Sequence, residues 1–199
     1  MNNIDIERLG IKGGPNDDYH FQEKLNRITV EGSDDYRLVL FFIKKGTRMP
    51  LHDHPNMCVF FRLMFGELSY RSYDKVEDKF KYNDFSCDEY QELLETQYTV
   101  KAKKVKEFSL KGSNMMLVKP SHNNMHEFVA EENSCFFDIC LPNYSDHSCR
   151  RITYFKEMAD DSLSHQERMA NITNLQYHTT PPKMPVDFDI KELEYRGEY

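Results

Sequence analysis

The chain has 199 residues, 39% of them hydrophobic, and a formal net charge of −7. This length and apolar content are enough for one hydrophobic core without division into two domains. The negative charge argues against nucleic acid as the main partner, because binding to phosphates requires clustered positive charge. No segment approaches the roughly twenty consecutive apolar residues of a transmembrane helix.

The start of the sequence and its cysteines favour an intracellular protein. Residues 1–7 lack the basic and apolar regions of a secretory signal. The five cysteines are odd in number and form no C-x-x-C pair, which argues against a disulfide framework or a zinc knuckle. We therefore expect the protein in the cytoplasm, with the nucleus also open.

Short strand-like runs separated by turns dominate the middle of the chain, as is typical of an all-β barrel or sandwich. The predicted strands are 37–43, 58–65, 67–73, 98–105, 114–119, 128–130, 135–141 and 151–155. Residues 88–96 and 158–170 favour short helices. The basic run at 101–106 predicts a solvated strand edge, where lysines discourage pairing between sheets.

His52, Asp53 and His54 follow a glycine-led turn that begins at Gly46. In an extended strand, residues two apart project from the same face. The two imidazoles would then bind one ion while Asp53 faces away. The alternative is a pair of surface histidines in a loop before Pro55. The pattern indicates a candidate metal site.

From Gly46, the spacing of the glycine, the H-x-H pair, Val59 and Gly66 resembles the first motif of the cupin superfamily. Many cupins carry a metal-binding glutamate where this chain has Val59, and a valine side chain cannot coordinate a metal. The third ligand must therefore come from another part of the chain.

His126 is the preferred third ligand, and His122 competes with it. His126 directly precedes the predicted strand 128–130, whereas His122 lies in a proline-led turn. In a small antiparallel barrel, His126 can return beside the H-x-H segment. Three neutral imidazoles leave open positions on a divalent ion, unlike structural zinc sites, which usually close with four ligands. Imidazole suits iron, zinc, copper and nickel alike, so these ligands do not select the metal.

Three sequence blocks, at 50–57, 66–74 and 135–145, resemble the cysteamine dioxygenase and plant cysteine oxidase family, in the family's order. The likeness covers about residues 28–157. It implies an all-β, cupin-type double-stranded β-helix (jelly-roll) barrel. We expect a single domain over 1–199 with a few short peripheral helices, and a C-terminal helix and charged tail at 158–199 that packs along the barrel or hangs free. Members of the family are thiol dioxygenases that use non-haem iron(II) and O2 to convert the thiol of cysteamine, or of a protein's N-terminal cysteine, into a sulfinic acid.

The resemblance implies three histidines as Fe(II) ligands and three further active-site residues, one acidic and two phenolic. In that order they are His52, His54, His126, Asp138, Tyr144 and Tyr154. Tyr144 would donate a hydrogen bond to oxygen or to the nascent sulfinate, and Asp138 would orient an imidazole or the substrate amine. Strand alternation in 136–140 also allows Asp138 to lie on an outward face.

The chain departs from the family at several positions. Ile152 stands where the family often has a cysteine, which in some members can cross-link to the tyrosine at the position of Tyr154, so that cross-link is excluded here. Asn143 replaces the second proline of the family's Pro-Pro-Tyr, and Lys75 replaces a tryptophan. These changes leave substrate preference open. Arg62, in an apolar run, either reaches the pocket or extends outward.

Three functional classes remain. The leading one is an iron-dependent thiol dioxygenase acting, as a monomer, on a Cys-initiated peptide or protein or on cysteamine; a peptide substrate would make it an oxygen sensor by family analogy. A different metal-dependent cupin enzyme is disfavoured by Val59, which removes the usual fourth ligand. A non-catalytic binding or regulatory cupin has only Ile152 in its favour.

Overall fold

The computed structural model describes residues 4–76, 99–145, 150–159, 162–177 and 190–197. The described strands are β1 (Leu25–Gly32), β2 (Arg37–Ile43), β3 (Arg48–His52), β4 (Cys58–Phe65), β5 (Glu67–Lys75), β6 (Thr99–Lys111), β7 (Met115–Val118), β8 (Met125–Ala130), β9 (Ser134–Leu141), β10 (Phe155–Glu157), β11 (Ile172–Tyr177) and β12 (Ile190–Glu192). A 3-10 helix (Gly14–Asn16) and one short α-helix, α1 (His165–Met169), accompany them. The helix predicted at 88–96 lies outside the described residues.

The strands form two six-stranded sheets. One sheet, called sheet A, has the order β12-β1-β2-β9-β4-β7, and the other, sheet B, has the order β10-β11-β6-β5-β8-β3. From β3 to β9 the chain passes repeatedly from one sheet to the other. The neighbouring strands are antiparallel except for the parallel pair of β1 and β12. This is the double-stranded β-helix of a cupin barrel, so the predicted all-β fold is confirmed.

Alternation along β4 places the apolar residues of the barrel interior. Val59, Phe61 and Leu63 are buried, whereas Phe60 is exposed on the other face. The Phe61 ring lies 5.2 Å from that of Phe128 on β8, so it links sheet A to sheet B. Burying one such ring stabilises the fold by about 1.5–3 kcal/mol. Arg62 shares the face of Phe60 and does not line the interior cavity described below, so the outward alternative applies.

A second core covers the outer face of sheet A. Leu40 of β2 and Phe137 of β9 pack there against Ile11 and Phe21 from the N-terminal segment and Leu193 from the C-terminal segment. The two terminal segments are therefore part of the folded unit. As a consequence, β9 is buried on both faces, with Phe137 in this second core and Asp138 facing the barrel interior.

Several element boundaries differ from the sequence predictions. β8 begins at Met125 rather than at residue 128, so His126 lies within the strand. The predicted strand 151–155 is reduced to β10, which begins at Phe155. Strand β6, which carries the lysine run, lies between β5 and β11. The prediction that this run forms a strand edge is therefore wrong. The predicted helix 158–170 shrinks to α1, which begins at the capping box of Ser164 and Glu167.

Two strands of the predicted C-terminal tail belong to the sheets. β11 pairs with β6 in sheet B, and β12 pairs with β1 in sheet A. In the described part of the chain, no helix has the length and apolar character needed to cross a membrane.

Candidate metal centre

Three buried histidines meet at one end of the β3–β8 pair. His52 ends β3 and lies directly across from His126 on β8 in the antiparallel register. His54 follows two residues later and projects to the same side. The ligand atoms of the three imidazoles all lie within 4.8 Å of one another, and their side chains are only 3–5% exposed. The strand pairing therefore assembles, from distant parts of the sequence, a cluster able to hold a metal.

Hydrogen bonds orient two of the imidazoles. Nδ1 of His52 donates to the Pro50 carbonyl oxygen at 2.7 Å, and Nδ1 of His54 donates to the Asn124 carbonyl oxygen at 3.2 Å. A proton on Nδ1 leaves the lone pair on Nε2, the atom then available to a metal. Nδ1 of His126 has no hydrogen-bond partner among the described residues.

Asn124 extends the β3–β8 pairing past the end of β3. Its side-chain oxygen accepts from the backbone N–H of His54 at 3.1 Å, and its side-chain nitrogen donates to the His54 carbonyl at 2.8 Å. Both backbone groups of His54 are thus satisfied outside a regular strand. Sequence reasoning missed Asn124, and its place opposite His54 follows only from the register.

The cluster favours neutral imidazoles. Burial lowers the pKa of His52 to about 4. The pKa values of His54 and His126 are lowered well below the ordinary value, first by burial and then by repulsion from the neighbouring histidines. At neutral pH all three side chains therefore keep the lone pairs that coordination requires.

Asp53 faces away from the cluster, as alternation predicts. Its Oδ1 accepts from the backbone N–H of Thr153 at 3.0 Å, and its own N–H donates to the Thr153 carbonyl at 3.1 Å. Its carbonyl accepts from the Tyr144 hydroxyl at 2.9 Å. Fully buried Asp53 thus holds two other segments against the residue between the two histidines.

Tyr144 lies beside the cluster, with its ring 5.6 Å from that of His54. Its hydroxyl proton is engaged by the Asp53 carbonyl. Burial is the main cause of a Tyr144 pKa well above the ordinary value, so the phenol stays protonated. Asn143, which replaces a proline, donates its backbone N–H to the Asp34 carbonyl at 3.2 Å. A proline could not make this bond, which ties the loop before Tyr144 to the β1–β2 turn.

Tyr154 and Ile152 complete the wall near His52. Tyr154 forms an isolated antiparallel bridge with His52, and their ring centroids are 6.2 Å apart. Burial raises the pKa of Tyr154 to about 12. Ile152 lines the same cavity and packs against the core. The side chain at the family's cysteine position is therefore apolar and faces the site.

The histidines open onto a cavity of about 240 Å³ between the two sheets. Asp138 of β9 lines it from sheet A and is 9% exposed. Its Oδ1 has no hydrogen-bond partner among the described residues, and burial raises its pKa well above the ordinary value. A buried carboxyl group without a partner costs free energy, typically about 1–3 kcal/mol. Asp138 is therefore a candidate for contact with a ligand in the cavity.

The other sequence candidate for the third position lies elsewhere. His122 is exposed, and its Nδ1 lies 3.2 Å from Asp74. The cavity also contains two residues that sequence reasoning missed, Arg27 of β1 and Arg37 of β2. No local pattern marks either of them, since both belong to strands whose inward faces are set by pairing in sheet A.

Comparison with known proteins gives a consistent family. The family profile PCO_ADO matches residues 7–199. Plant cysteine oxidase 2 of Arabidopsis thaliana is 30% identical over 129 residues, which is 65% of this chain and 43% of that protein. Plant cysteine oxidase 1 of the same plant is 28% identical over 67% of this chain and 42% of that protein.

Human 2-aminoethanethiol dioxygenase is 24% identical over 62% of this chain and 49% of that protein. The matches thus span less than half the length of these curated relatives. Among solved structures, KdgF from Halomonas sp. has a TM-score of 0.42 at 16% identity and covers 62% of this chain and 83% of that chain. A cupin from Shewanella frigidimarina also has a TM-score of 0.42, at 15% identity over 62% of this chain and 80% of that chain.

Proposed function

The chain belongs to the PCO_ADO family, and from that membership we propose that it is an iron(II)-dependent thiol dioxygenase. In this proposal the enzyme uses O2 to convert the thiol of an N-terminal cysteine, or of cysteamine, into a sulfinic acid. With a peptide substrate, the rate of cysteine oxidation would depend on the oxygen concentration, and the enzyme would act as an oxygen sensor in the cytosol or nucleus. The curated relatives are named for reactions of cysteine and 2-aminoethanethiol.

One observation carries the proposal: three neutral imidazoles converge on one wall of a cavity that has room for a substrate. In the described part of the chain, they form the metal-ligand cluster of His52, His54 and His126. Val59 is buried among Met57, Val118 and Cys140 and offers no ligand atom. A metal held by three imidazoles alone would keep positions open for substrate and dioxygen.

The donor set fits iron(II). Imidazole is a suitable ligand for iron, and the buried, uncharged cluster lacks the carboxylates that favour magnesium or calcium. Bound there, iron(II) would supply thiolate binding and the activation of dioxygen, chemistry that no protein side chain provides.

The protein's own part is orientation and the exclusion of water. Asp138 faces the cavity from sheet A, and a cationic substrate amine would give its buried carboxylate the partner that it lacks. That pairing would fix the thiol toward the histidine wall. The Tyr144 hydroxyl donates its hydrogen bond to the Asp53 carbonyl, between His52 and His54. In this arrangement Tyr144 helps to position the two histidine ligands.

The test is mass spectrometry of an aerobic reaction. Iron(II)-loaded protein receives an equal mixture of a Cys-initiated peptide and cysteamine, and we expect at least one to gain the mass of two oxygen atoms. His54→Ala should abolish the gain, whereas Arg48→Gln, a change on the outer face, should not. A protein that binds iron and oxidises neither thiol would contradict the proposal and favour another metal-dependent cupin reaction.

A further inference from the structure

Two arginines line the same cavity as the histidines, and the reaction proposed above gives them no role. Arg27 and Arg37 project from β1 and β2 of sheet A, on the wall that also carries Asp138. Both are partly buried, and the Arg27 side chain is 29% exposed. Two guanidinium groups on one cavity wall are placed to meet an anionic ligand.

The two arginines belong to one hydrogen-bonded chain. Nε of Arg27 donates to Oε2 of Glu192 at 2.6 Å, and the Thr29 hydroxyl donates to Oε1 of Glu192 at 2.9 Å. Nη2 of Arg37 in turn donates to the Thr29 hydroxyl oxygen at 2.7 Å. Glu192 lies in β12, so the C-terminal strand fixes both guanidinium groups on the cavity wall.

The chain of contacts leaves one positive charge uncompensated. Its two arginines carry two positive charges, and Glu192 supplies one negative charge. Glu192 is bonded to Arg27 and Thr29, and no carboxylate of the described residues lies within ion-pair distance of Arg37. Burial and the charge of Arg27 lower the pKa of Arg37, while Glu192 opposes this. Most of the Arg37 donors are thus available to an anionic ligand.

We propose that Arg37, positioned by Thr29 and Glu192, binds a carboxylate of the substrate, and that the preferred substrates are Cys-initiated peptides with Asp or Glu at the second or third residue. The inference rests on the proposed function, whose site it deepens. A guanidinium group matches a carboxylate with two parallel hydrogen bonds.

The strand register sets the reach of such a substrate. Arg37 pairs with Cys140, and Val39 pairs with Asp138. Two residues of strand separate these pairs, which corresponds to roughly 7 Å. If Asp138 binds the substrate amine, Arg37 therefore lies one or two residues further along an extended peptide. The α-carboxylate of free cysteine lies closer to its own amine than this backbone spacing.

Cysteamine makes a poor match to this wall. It has four non-hydrogen atoms and no carboxylate, so it would leave the part of the cavity near Arg37 unfilled. A longer substrate would fill the space between the histidines and Arg37. Its carboxylate would also offset the positive charge that remains within the hydrogen-bonded chain of Arg27, Glu192, Thr29 and Arg37.

The experiment compares two isosteric peptides, Cys-Asp-Gly-Ala and Cys-Asn-Gly-Ala, with iron(II)-loaded protein. We expect kcat/KM to favour the Asp peptide by about tenfold, the lower range for a hydrogen bond to a charged group. Calorimetric titration of the Ser-Asp and Ser-Asn analogues under nitrogen should give a similar ratio of dissociation constants. This second readout requires no oxidation.

Variants assign the preference to one residue. Arg37→Gln should bring both ratios close to one, and Arg37→Lys should retain part of the preference. Arg48→Gln is the charge-matched control, because its exposed side chain contacts Glu127 on the outer face and should leave the ratios unchanged. Equal use of the two peptides by the unmodified protein would overturn the inference while leaving the dioxygenase proposal standing. If neither peptide is oxidised, the proposed function fails, and the binding ratio still decides whether Arg37 recognises the carboxylate.

Discussion

His122 and His126 are close in sequence, yet their surroundings differ. His126 is 5% exposed and lies among the other two histidines, whereas His122 is on the surface beside Asp74. We expect His126→Ala to weaken iron(II) affinity by at least the roughly tenfold to hundredfold typical of losing a supporting partner, and so to lower the metal content after anaerobic iron(II) loading. His122→Ala should retain full content. Elemental analysis of the gel-filtered variants measures this, and equal metal content in both would refute the assignment of His126.

Substitution of Asp138 should change stability and activity in opposite directions. Burial raises its pKa in the folded protein, so the folded state binds the proton more tightly than the unfolded state does. Stability is then highest below the unfolded pKa of about 3.9 and falls as pH rises through the folded pKa. Asp138→Asn removes this ionisation, so we expect the variant to gain stability relative to the unmodified protein, by about 1 kcal/mol or more at pH 7 and by less at pH 4.

Urea unfolding of the two metal-free proteins at both pH values tests this expectation. The same substitution should reduce turnover strongly, because the amide cannot pair with a cationic amine. A variant that loses stability at pH 7 and keeps its activity would show that Asp138 serves the fold.

The part of the candidate metal site that lies within one short segment was predictable from the sequence. His52 and His54 are two residues apart, so the period of a strand already places them together. His126 required only that one strand return beside the first. Arg37 was not predictable, because apolar residues fill both faces of β2, so alternation along the strand does not show which face lines the cavity. Asn124 was also missed, because its hydrogen bonds to the backbone of His54 depend on the pairing of distant segments.

Two glycines of the cupin-like motif occupy left-handed backbone, and each ends a turn between strands for a different reason. Gly46 has φ +79°, and a Cβ added there would have no other atom within 4 Å, whereas at Gly66, with φ +90°, a Cβ would lie 2.7 Å from the Asn133 carbonyl oxygen. Gly46→Ala should therefore cost only the backbone strain, about 1 kcal/mol. Gly66→Ala adds a clash with the backbone before β9, and we expect a loss of about 3 kcal/mol or more.

Chemical denaturation of the two glycine variants measures the difference directly. Gly46→Ala serves as the control for the positive φ alone. Equal losses in the two variants would mean that the β4–β5 turn at Gly66 relaxes without cost.

The strands that the sequence predicted best are those with continuous apolar character. β2 and β4 have the predicted bounds, because apolar residues fill one or both faces of each. β1, β11 and β12 contain many polar residues and were missed. Their strand conformation comes from pairing with neighbours already in place, which is a tertiary effect.

For the molecule as a whole, the C-terminal segment has a larger role than that of a tail. Ile190 of β12 lines the histidine cavity, and Glu192 fixes the arginines on its wall. Leu193 packs on the outer core, and the Arg196 guanidinium lies 3.7 Å from the centre of the Tyr19 ring. The C-terminal segment therefore contributes both to the outer core and to the wall of the cavity.

Because the three histidines come from both strands of the β3–β8 pair, a bound metal would link them only in the folded barrel and should raise the stability of the whole molecule. At a free iron(II) concentration about 100 times the dissociation constant, linkage gives about 2.7 kcal/mol. For a chain of this size that corresponds to a rise in Tm of about 5 to 10 °C. Anaerobic thermal unfolding with iron(II), and again after adding a chelator, should show the rise and its reversal. His54→Ala should melt at the same temperature with and without iron, and a variant that keeps the full rise would mean that the metal is held elsewhere.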